Sequence, residues 1–415
     1  MPSDGIVDFR KLLTARFLFV IAIQVQTIVL GWHMYDITKD PLYLGFIGLA
    51  EAIPALSLAL PAGMIVDHRR PITVYRLVLA GNLFSGFILL MSQIQAFHLT
   101  HNIEIVALFA SSLTTGFSRA FHQPSIFAIM PRIVPRQNYS RYVATMTTSM
   151  QSARIIGPAL GGLLYAYIGV LGAAAVVCTL LVLAIIVMFS IRRDLPPANI
   201  RADSALKELF SGAKFVLRHN LLLPAMSLDM VSVFFGGVTA LLPIYASEIL
   251  KIGPQGLGYL RAAPALGAVI VGLTLTRVEF RRRAGRFLFT AIAGFGAATI
   301  IFALSRDYAL SLGALFFAGG FDSVSMVIRS STVQLSSPDH MRGRISAVNS
   351  IFIGSSNELG EFESGVAAKL MGVVPAAVFG GVVCLLTVGV TATFARKLRA
   401  LNLHELESAQ NQKLA

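Results

Sequence analysis

The chain has 415 residues, 55% of them hydrophobic and 13% charged, with a formal net charge of +13. A soluble domain carries roughly 25% charged residues, so the composition excludes an ordinary water-soluble globule and makes the bilayer the natural solvent. The Lys and Arg residues lie in short gaps between apolar runs, as in loops facing cytoplasm, and not in the polar cluster of a nucleic-acid binder.

The first apolar run, from Phe17 to about Tyr35 behind Arg10, Lys11 and Arg16, outlasts the h-region of a signal peptide and lacks an A-x-A site, so it is read as a retained span. A helix needs about 20 apolar residues to cross the hydrocarbon. Spans are expected near 14–36, 43–66, 72–94, 103–130, 141–168 and 170–190, then near 221–248, 255–277, 286–304, 308–329, 345–371 and 374–395. The expected fold is thus all-α and integral to the membrane, with twelve transmembrane helices in two six-helix bundles, 1–190 and 221–395. Between them, 191–220 forms a polar linker whose ALKELFSGAKFVLRH stretch reads as an amphipathic helix at the membrane surface, and 396–415 is a short hydrophilic tail. Basic residues concentrate in alternate gaps (Arg69, Arg70; Arg132, Arg136, Arg141; Arg192 to Arg218; Arg277 to Arg286; Arg342, Arg344), which places both termini and the linker in the cytoplasm.

An internal repeat is expected at an offset of 203 residues. It pairs Gly116 with Gly319, Pro135 with Pro338, Arg141 with Arg344, Ala144 with Ala347, Ser152 with Ser355, Gly157 with Gly360 and Gly162 with Gly365. Two parallel six-span repeats are an arrangement of transporters whose substrate site lies near the midplane.

The same offset pairs Arg119 with Asp322 and Arg154 with Asn357, which is followed by Glu358. Ionisable residues at such depths are costly and by default functional. The N-terminal half offers cations where the C-terminal half offers anions, with Arg119 facing Asp322 as the sharpest expectation. Glu361 shares a helix face with Asn357 and Glu358, whereas Glu363 points elsewhere. Arg329 lies seven residues beyond Asp322, two turns or ~10 Å along a helix, and is read as reaching for the cytoplasmic end. Burial raises a carboxyl pKa and a nearby Arg lowers it, so Asp322, Glu358 or Glu361 can carry a coupling proton, with Glu51 and Asp229 ranked behind. The competing readings are a static ion pair between the halves and contact with substrate alone. Arg119, Arg154, Asn357, Gln24 and Gln26 are the candidate substrate contacts, and His33 is a further cavity-lining polar group.

Gly63-Met-Ile-Val-Asp67-His-Arg69-Arg70-Pro71 joins spans two and three. It resembles the loop motif of the major facilitator superfamily, with His68 in place of the first arginine and Pro71 where glycine and further basic residues are usual. Tyr35 to Gly45, Arg154 to Gly162, Leu257 to Ala265, Gln334 to Arg344 and Asn357 to Gly365 resemble the branch that contains the enterobactin exporter and drug efflux proteins. The resemblance implies the major facilitator fold, a bacterial inner-membrane location and gating roles for Gly63, Asp67, Arg69, Arg70, Arg342 and Arg344. Gly157 and Pro158 in span five, also candidate gating residues, supply close helix packing and a kink, and in the superfamily such a motif accompanies export.

No phosphate loop or His/Cys metal spacing is present in the sequence, and no nucleophile–base pair stands out. The expectation is a non-enzymatic secondary transporter without cofactor, acting as a monomer on a small amphipathic, siderophore-like molecule, protons and the bilayer, with no nucleic acid. Efflux of cationic or macrolide-type drugs is the nearest alternative; a non-transporting sensor or scaffold on the same fold and an uptake permease are the others.

Overall fold

A computed structural model of the chain describes residues 2–94, 100–135, 139–193, 195–197, 205–275, 281–338 and 341–414. Positions Arg136 and Arg277, and the side chain of Arg342, lie outside the described residues. Two compact units form, Met1–Ala202 with Pro243–Ala262, and Asp203–Leu242 with Ala263–Ala415.

In the first unit, α1 (Pro2–Thr38) packs lengthwise against α6 (Tyr139–Phe189), and α4 (Pro71–Ser92) against α5 (His101–Ile133). Lipid tails are as apolar as leucine, so helices here associate through small residues that let backbones approach. A Cβ on Gly157 would lie 2.5 Å from Gln24 Cβ, and one on Gly161 3.0 Å from Val25 Cα. The α2 helix (Pro41–Ser57) starts on Asp40, whose carboxylate accepts from Leu42 N at 3.0 Å, with Pro41 in the first turn. It continues as α3 (Ala59–His68), and the pair is bent by 53° beside Pro54 and Pro61, where the helix loses backbone donors.

The second unit starts with α7 (Ala205–Arg218) and α8 (Leu222–Gly236). After an irregular stretch come α9 (Gly253–Leu275, shared between the units), α10 (Ala284–Leu304), α11 (Tyr308–Ser336), α12 (Arg342–Met371), α13 (Val373–Phe394) and α14 (Leu403–Leu414). The α10 helix packs between α11 and α13, and α8 against α12 and α13.

Eight helices among the described residues are long and apolar enough to span a membrane, or nine with the bent α2–α3 pair. Chemistry explains the distance from twelve. Gly169, at φ 68, ψ −175, divides α6 into two spans, as expected between 168 and 170. The remaining two, α5 and α12, carry the polar residues of interest: Glu104, Arg119 and Arg132 on one, Arg344, Glu358, Glu361, Glu363 and Lys369 on the other. Counted this way, twelve spans fit. Their outward faces are apolar: Leu77 is 66% exposed, Phe127 68% and Phe394 86%.

The repeat is echoed in packing. Gly116 of span four lies against Glu51 O of span two, and Gly319 of span ten against Pro264 of span eight, each with no room for a Cβ. Gly157 of span five meets Gln24 of span one, and Gly360 of span eleven meets Phe234 O of span seven at 2.7 Å from a Cβ position. Lys39 (φ 50) and Lys251 (φ 54), the non-glycine residues with positive φ, occupy matching links before Pro41 and Pro254.

Three features go beyond the sequence expectations. The linker helix α7 docks on its bundle: Val216 is buried with Val333, Ile345 and Val348, and Gly212 lies against the Arg344 backbone. Beyond Arg396, Leu398, Leu401 and Leu403 are buried beside Ala284 and Leu288, so the tail is anchored by leucines spaced too sparsely to read as a core. The seventh span is broken after Gly236, giving a 3-10 turn (Val238–Leu241) and a π turn (Tyr245–Ile249). The freed carbonyls are met by side chains, Thr299 Oγ1 donating to Gly236 O at 3.4 Å and Ser364 Oγ to Gly237 O at 3.0 Å, as hydrocarbon requires.

Candidate functional site

In the second unit the acids gather around α8, α11 and α12. Asp229, in the middle of α8 and 4% exposed, is ion-paired with Arg329 of α11, itself 4% exposed. Ser325 Oγ donates to the other Asp229 oxygen at 3.0 Å, so both carboxylate oxygens are engaged. This corrects the reading of Arg329 as reaching for the cytoplasmic end: Asp229 of span seven binds it, and its aliphatic stem is buried with it. Asp322 lies on the same helix as both donors, half-buried, without a hydrogen-bond or ion-pair partner among the described residues, and in electrostatic range of Asp229 and Arg329. On α12, Glu358 is buried, Glu361 and Glu363 are half-buried, and Asn357 is exposed, its Nδ2 donating to Ile353 O at 2.8 Å.

The first unit carries the cations. Arg119 of α5 donates to Glu51 Oε1 of α2 at 2.8 Å. Glu51, expected as a lesser proton carrier, thus balances one arginine within its own half. Arg154 of α6 is exposed and has no ion-pair partner among the described residues. Arg16 of α1, which the sequence reading took as part of a basic N-terminal patch, is buried at 5% exposure within electrostatic range of Arg154. Arg16, Arg119 and Arg154 thus lie in this half, with Glu51 paired to one of them.

Two expected substrate contacts have other settings. Gln26 is 2% exposed, and its Nε2 donates to Ser85 Oγ at 2.7 Å and Ser111 Oγ at 3.1 Å. It ties three helices together inside the bundle. Gln24 is half-buried against Gly157. His33 Nε2 meets Glu104 Oε1 at 2.7 Å, which also accepts from Gln93 Nε2 at 2.8 Å, and His33 Nδ1 meets Tyr165 OH at 3.2 Å. That satisfied network makes His33 a structural polar group, and Glu104, the carboxylate that the sequence reading passed over, is its centre.

Segment Pro243–Ala262, assigned by sequence to the second bundle, packs with the first unit. Pro158 O is 2.6 Å from a Cβ position on Gly258, Gly162 lies against Pro254 and Gly258, and Pro243 lies 3.6 Å from a Cβ position on Gly31. Tyr35 OH donates to Glu248 Oε1. So Gly157-Pro158…Gly161-Gly162 does serve close packing, with one face on α1 and the other on α9.

Of the loop motif, Asp67 is half-buried at the end of α3, and Arg69 and Arg70 are exposed. Gly63 meets nothing within 4 Å of a Cβ position, so close helix approach does not explain it here. Arg344 Nη1 lies 3.4 Å from Ser211 Oγ of the linker helix. Among the described residues no cluster of His, Cys, Asp and Glu is arranged to hold a metal.

A family model for transmembrane secretion effectors matches residues 6–414. The enterobactin exporter of Escherichia coli O1:K1 / APEC is 25% identical over 345 residues, covering 82% of this chain and 80% of that protein. The exporter of Shigella boydii serotype 18 matches to the same extent, 25% over 345 residues, 82% and 80%. A POT family transporter solved with 5-aminolevulinic acid superposes with a TM-score of 0.76 at 12% identity, covering 94% of this chain and 96% of that one. A bacterial homologue of the iron transporter ferroportin in an inward-facing state gives 0.70 at 15% identity, over 94% and 98%. At these identities the solved structures speak for the fold, while the family match spans almost the whole chain. The protein is a multi-pass membrane transporter belonging to the transmembrane secretion effector family of the major facilitator superfamily.

Proposed function

We propose that the protein exports a small, siderophore-like molecule bearing anionic or catecholate-like groups across the bacterial inner membrane, as a monomer, by alternating access and in exchange for protons. Both termini face the cytoplasm in this reading. The observation that carries it is Asp322, without a hydrogen-bond or ion-pair partner among the described residues, beside an Asp229–Arg329 pair in which both carboxylate oxygens are engaged. One guanidinium serves two carboxylates, so an ionised Asp322 repels Asp229 while a protonated one does not. Such an array takes up and releases a single proton as its hydration changes, and the titration belongs to the group jointly. Glu358 and Glu361 are the next carriers in line on α12.

Arg16, Arg119 and Arg154 of the first unit support an anionic cargo, with Arg154 exposed to receive it. The related exporters are named for enterobactin, which agrees with that charge. Alternating access in this reading works the latch that holds segment Pro243–Ala262 on α1 and α6 through small-residue contacts and the Tyr35–Glu248 hydrogen bond.

Proteoliposome flux under an imposed pH gradient tests the proposal, with enterobactin as the anionic probe and ethidium as the cationic one. Enterobactin should move against the proton flow, and Asp322→Asn should abolish that coupled flux while leaving enterobactin binding. Proton coupling that survives both Asp322→Asn and Glu358→Gln would sink the assignment, and ethidium movement without enterobactin movement would favour drug efflux.

A further inference from the structure

Arg16, Tyr75, His122 and Ser125 form an interior polar cluster of α1, α4 and α5 that the transport reading does not use. They are 5%, 0%, 8% and 0% exposed. The His122 ring stacks on Phe19, one turn from Arg16, with centroids 4.6 Å apart, and meets the Tyr75 ring at 5.6 Å. Ser125 follows His122 by one turn of α5. Arg16 Nη2 donates to Gln123 Oε1 at 2.9 Å, but no carboxylate pairs with Arg16 among the described residues. Four buried atoms of the cluster have no hydrogen-bond partner among the described residues: Arg16 Nε, Tyr75 OH, His122 Nδ1 and Ser125 Oγ.

All four can donate. Arg16 Nε–H can do nothing else, the two hydroxyls rotate to donate, and His122 donates in its Nδ1-protonated tautomer. The cluster therefore combines a fixed cation with three neutral donors and no negative group, in an interior where uncompensated charge is costly. A buried water would satisfy some of the donors but would leave the charge of Arg16 unanswered. A small anion answers both. The surrounding charges add to the attraction: Arg16 is in electrostatic range of Arg154, and His122 of Arg119. With side chains this deeply enclosed, the occupant is an ion and not a cargo molecule of tens of atoms.

We propose that Arg16, Tyr75, His122 and Ser125 form a binding site for a monatomic anion, chloride being the test ion, inside the first unit. The anion stands in for the carboxylate that Arg16 lacks and fastens α1 to α4 and α5.

The purified full-length protein in detergent would be melted at constant ionic strength while chloride replaces gluconate. The apparent melting temperature should rise saturably with chloride, as for any ligand bound by the native state alone. Tyr75→Phe and Ser125→Ala each remove one donor to a charged group and should raise the half-saturating chloride concentration about tenfold. Arg16→Met should remove the dependence; if that variant does not fold, the two milder variants still decide. Bromide-soaked crystals should show an anomalous peak within hydrogen-bonding distance of Arg16 Nε. Melting indifferent to chloride, a dependence unchanged in Tyr75→Phe and Ser125→Ala, or a bromide peak elsewhere would each overturn the site. Because none of these readouts needs transport, they fail or succeed independently of the proton-coupled export assignment.

Discussion

Replacing Arg329 by Met removes the only cation paired with Asp229 among the described residues. Both side chains are 5% exposed, so water cannot take over from the guanidinium. Breaking a buried pair from one side costs about 3–5 kcal/mol, since an unanswered charge remains. The bond from Ser325 at 3.0 Å survives the substitution and, as a hydrogen bond to a charged group, retains about 1.5–3 kcal/mol of support for the carboxylate, which puts the expected loss toward the lower end. Asp229→Leu strands the arginine instead and should cost a similar amount. The double variant Asp229→Leu/Arg329→Met leaves no charge and should come within about 1–2 kcal/mol of the wild type, since well-packed apolar replacements of buried pairs are often near neutral. Unfolding of the four proteins in detergent closes the cycle, with an expected coupling of about 4 kcal/mol or more. Coupling below about 0.5 kcal/mol, the range of independent sites, would refute the pair as an energetic unit. If only Asp229→Leu proves mild, Arg329 has turned to Asp322, and the two acids share it in alternation.

Gly319→Ala should destabilise the protein by about 1–3 kcal/mol, because the added methyl meets the Pro264 backbone, whereas Gly63→Ala should be neutral or stabilising by about 0.5–1 kcal/mol, with open space around it; thermal unfolding of the two variants side by side checks the contrast. Gln26→Leu should lower stability by about 1–3 kcal/mol by removing two buried hydrogen bonds, to Ser85 and Ser111, each worth about 0.5–1.5 kcal/mol, yet leave the KM for transported substrate unchanged; a raised KM at unaltered stability would return Gln26 to the substrate site. Tyr35→Phe removes the hydrogen bond to Glu248 and should raise the alkylation rate of a cysteine placed at Ser247 severalfold, with an unchanged rate showing that the latch does not hold that segment.

Much of the architecture was legible because hydrocarbon imposes a length and an apolarity on every crossing. The division of α6 at Gly169, the two six-span groups and the repeat of Gly116 and Gly157 in Gly319 and Gly360 all follow from that constraint and from the demand for small residues where helices touch. The irregular seventh span was less legible. Gly236-Gly237 signals a weakness, but the side chains of Thr299 and Ser364 that tolerate the break come from residues 63 and 127 positions away.

The candidate site shows the same boundary more sharply. Sequence alone placed charges inside spans four, five, seven, ten and eleven, and charge in hydrocarbon needs a partner. It could not name the partners, because they lie on other helices: Asp229 holds Arg329, Glu51 holds Arg119, and Gln26 is absorbed by Ser85 and Ser111. Nor could it separate Arg16, buried and without a carboxylate, from the basic residues that precede it. Periodicity and depth are properties of one helix and are written in the chain. Which acid answers which base depends on the rotation of one helix against the next, and that is decided when the bundle packs.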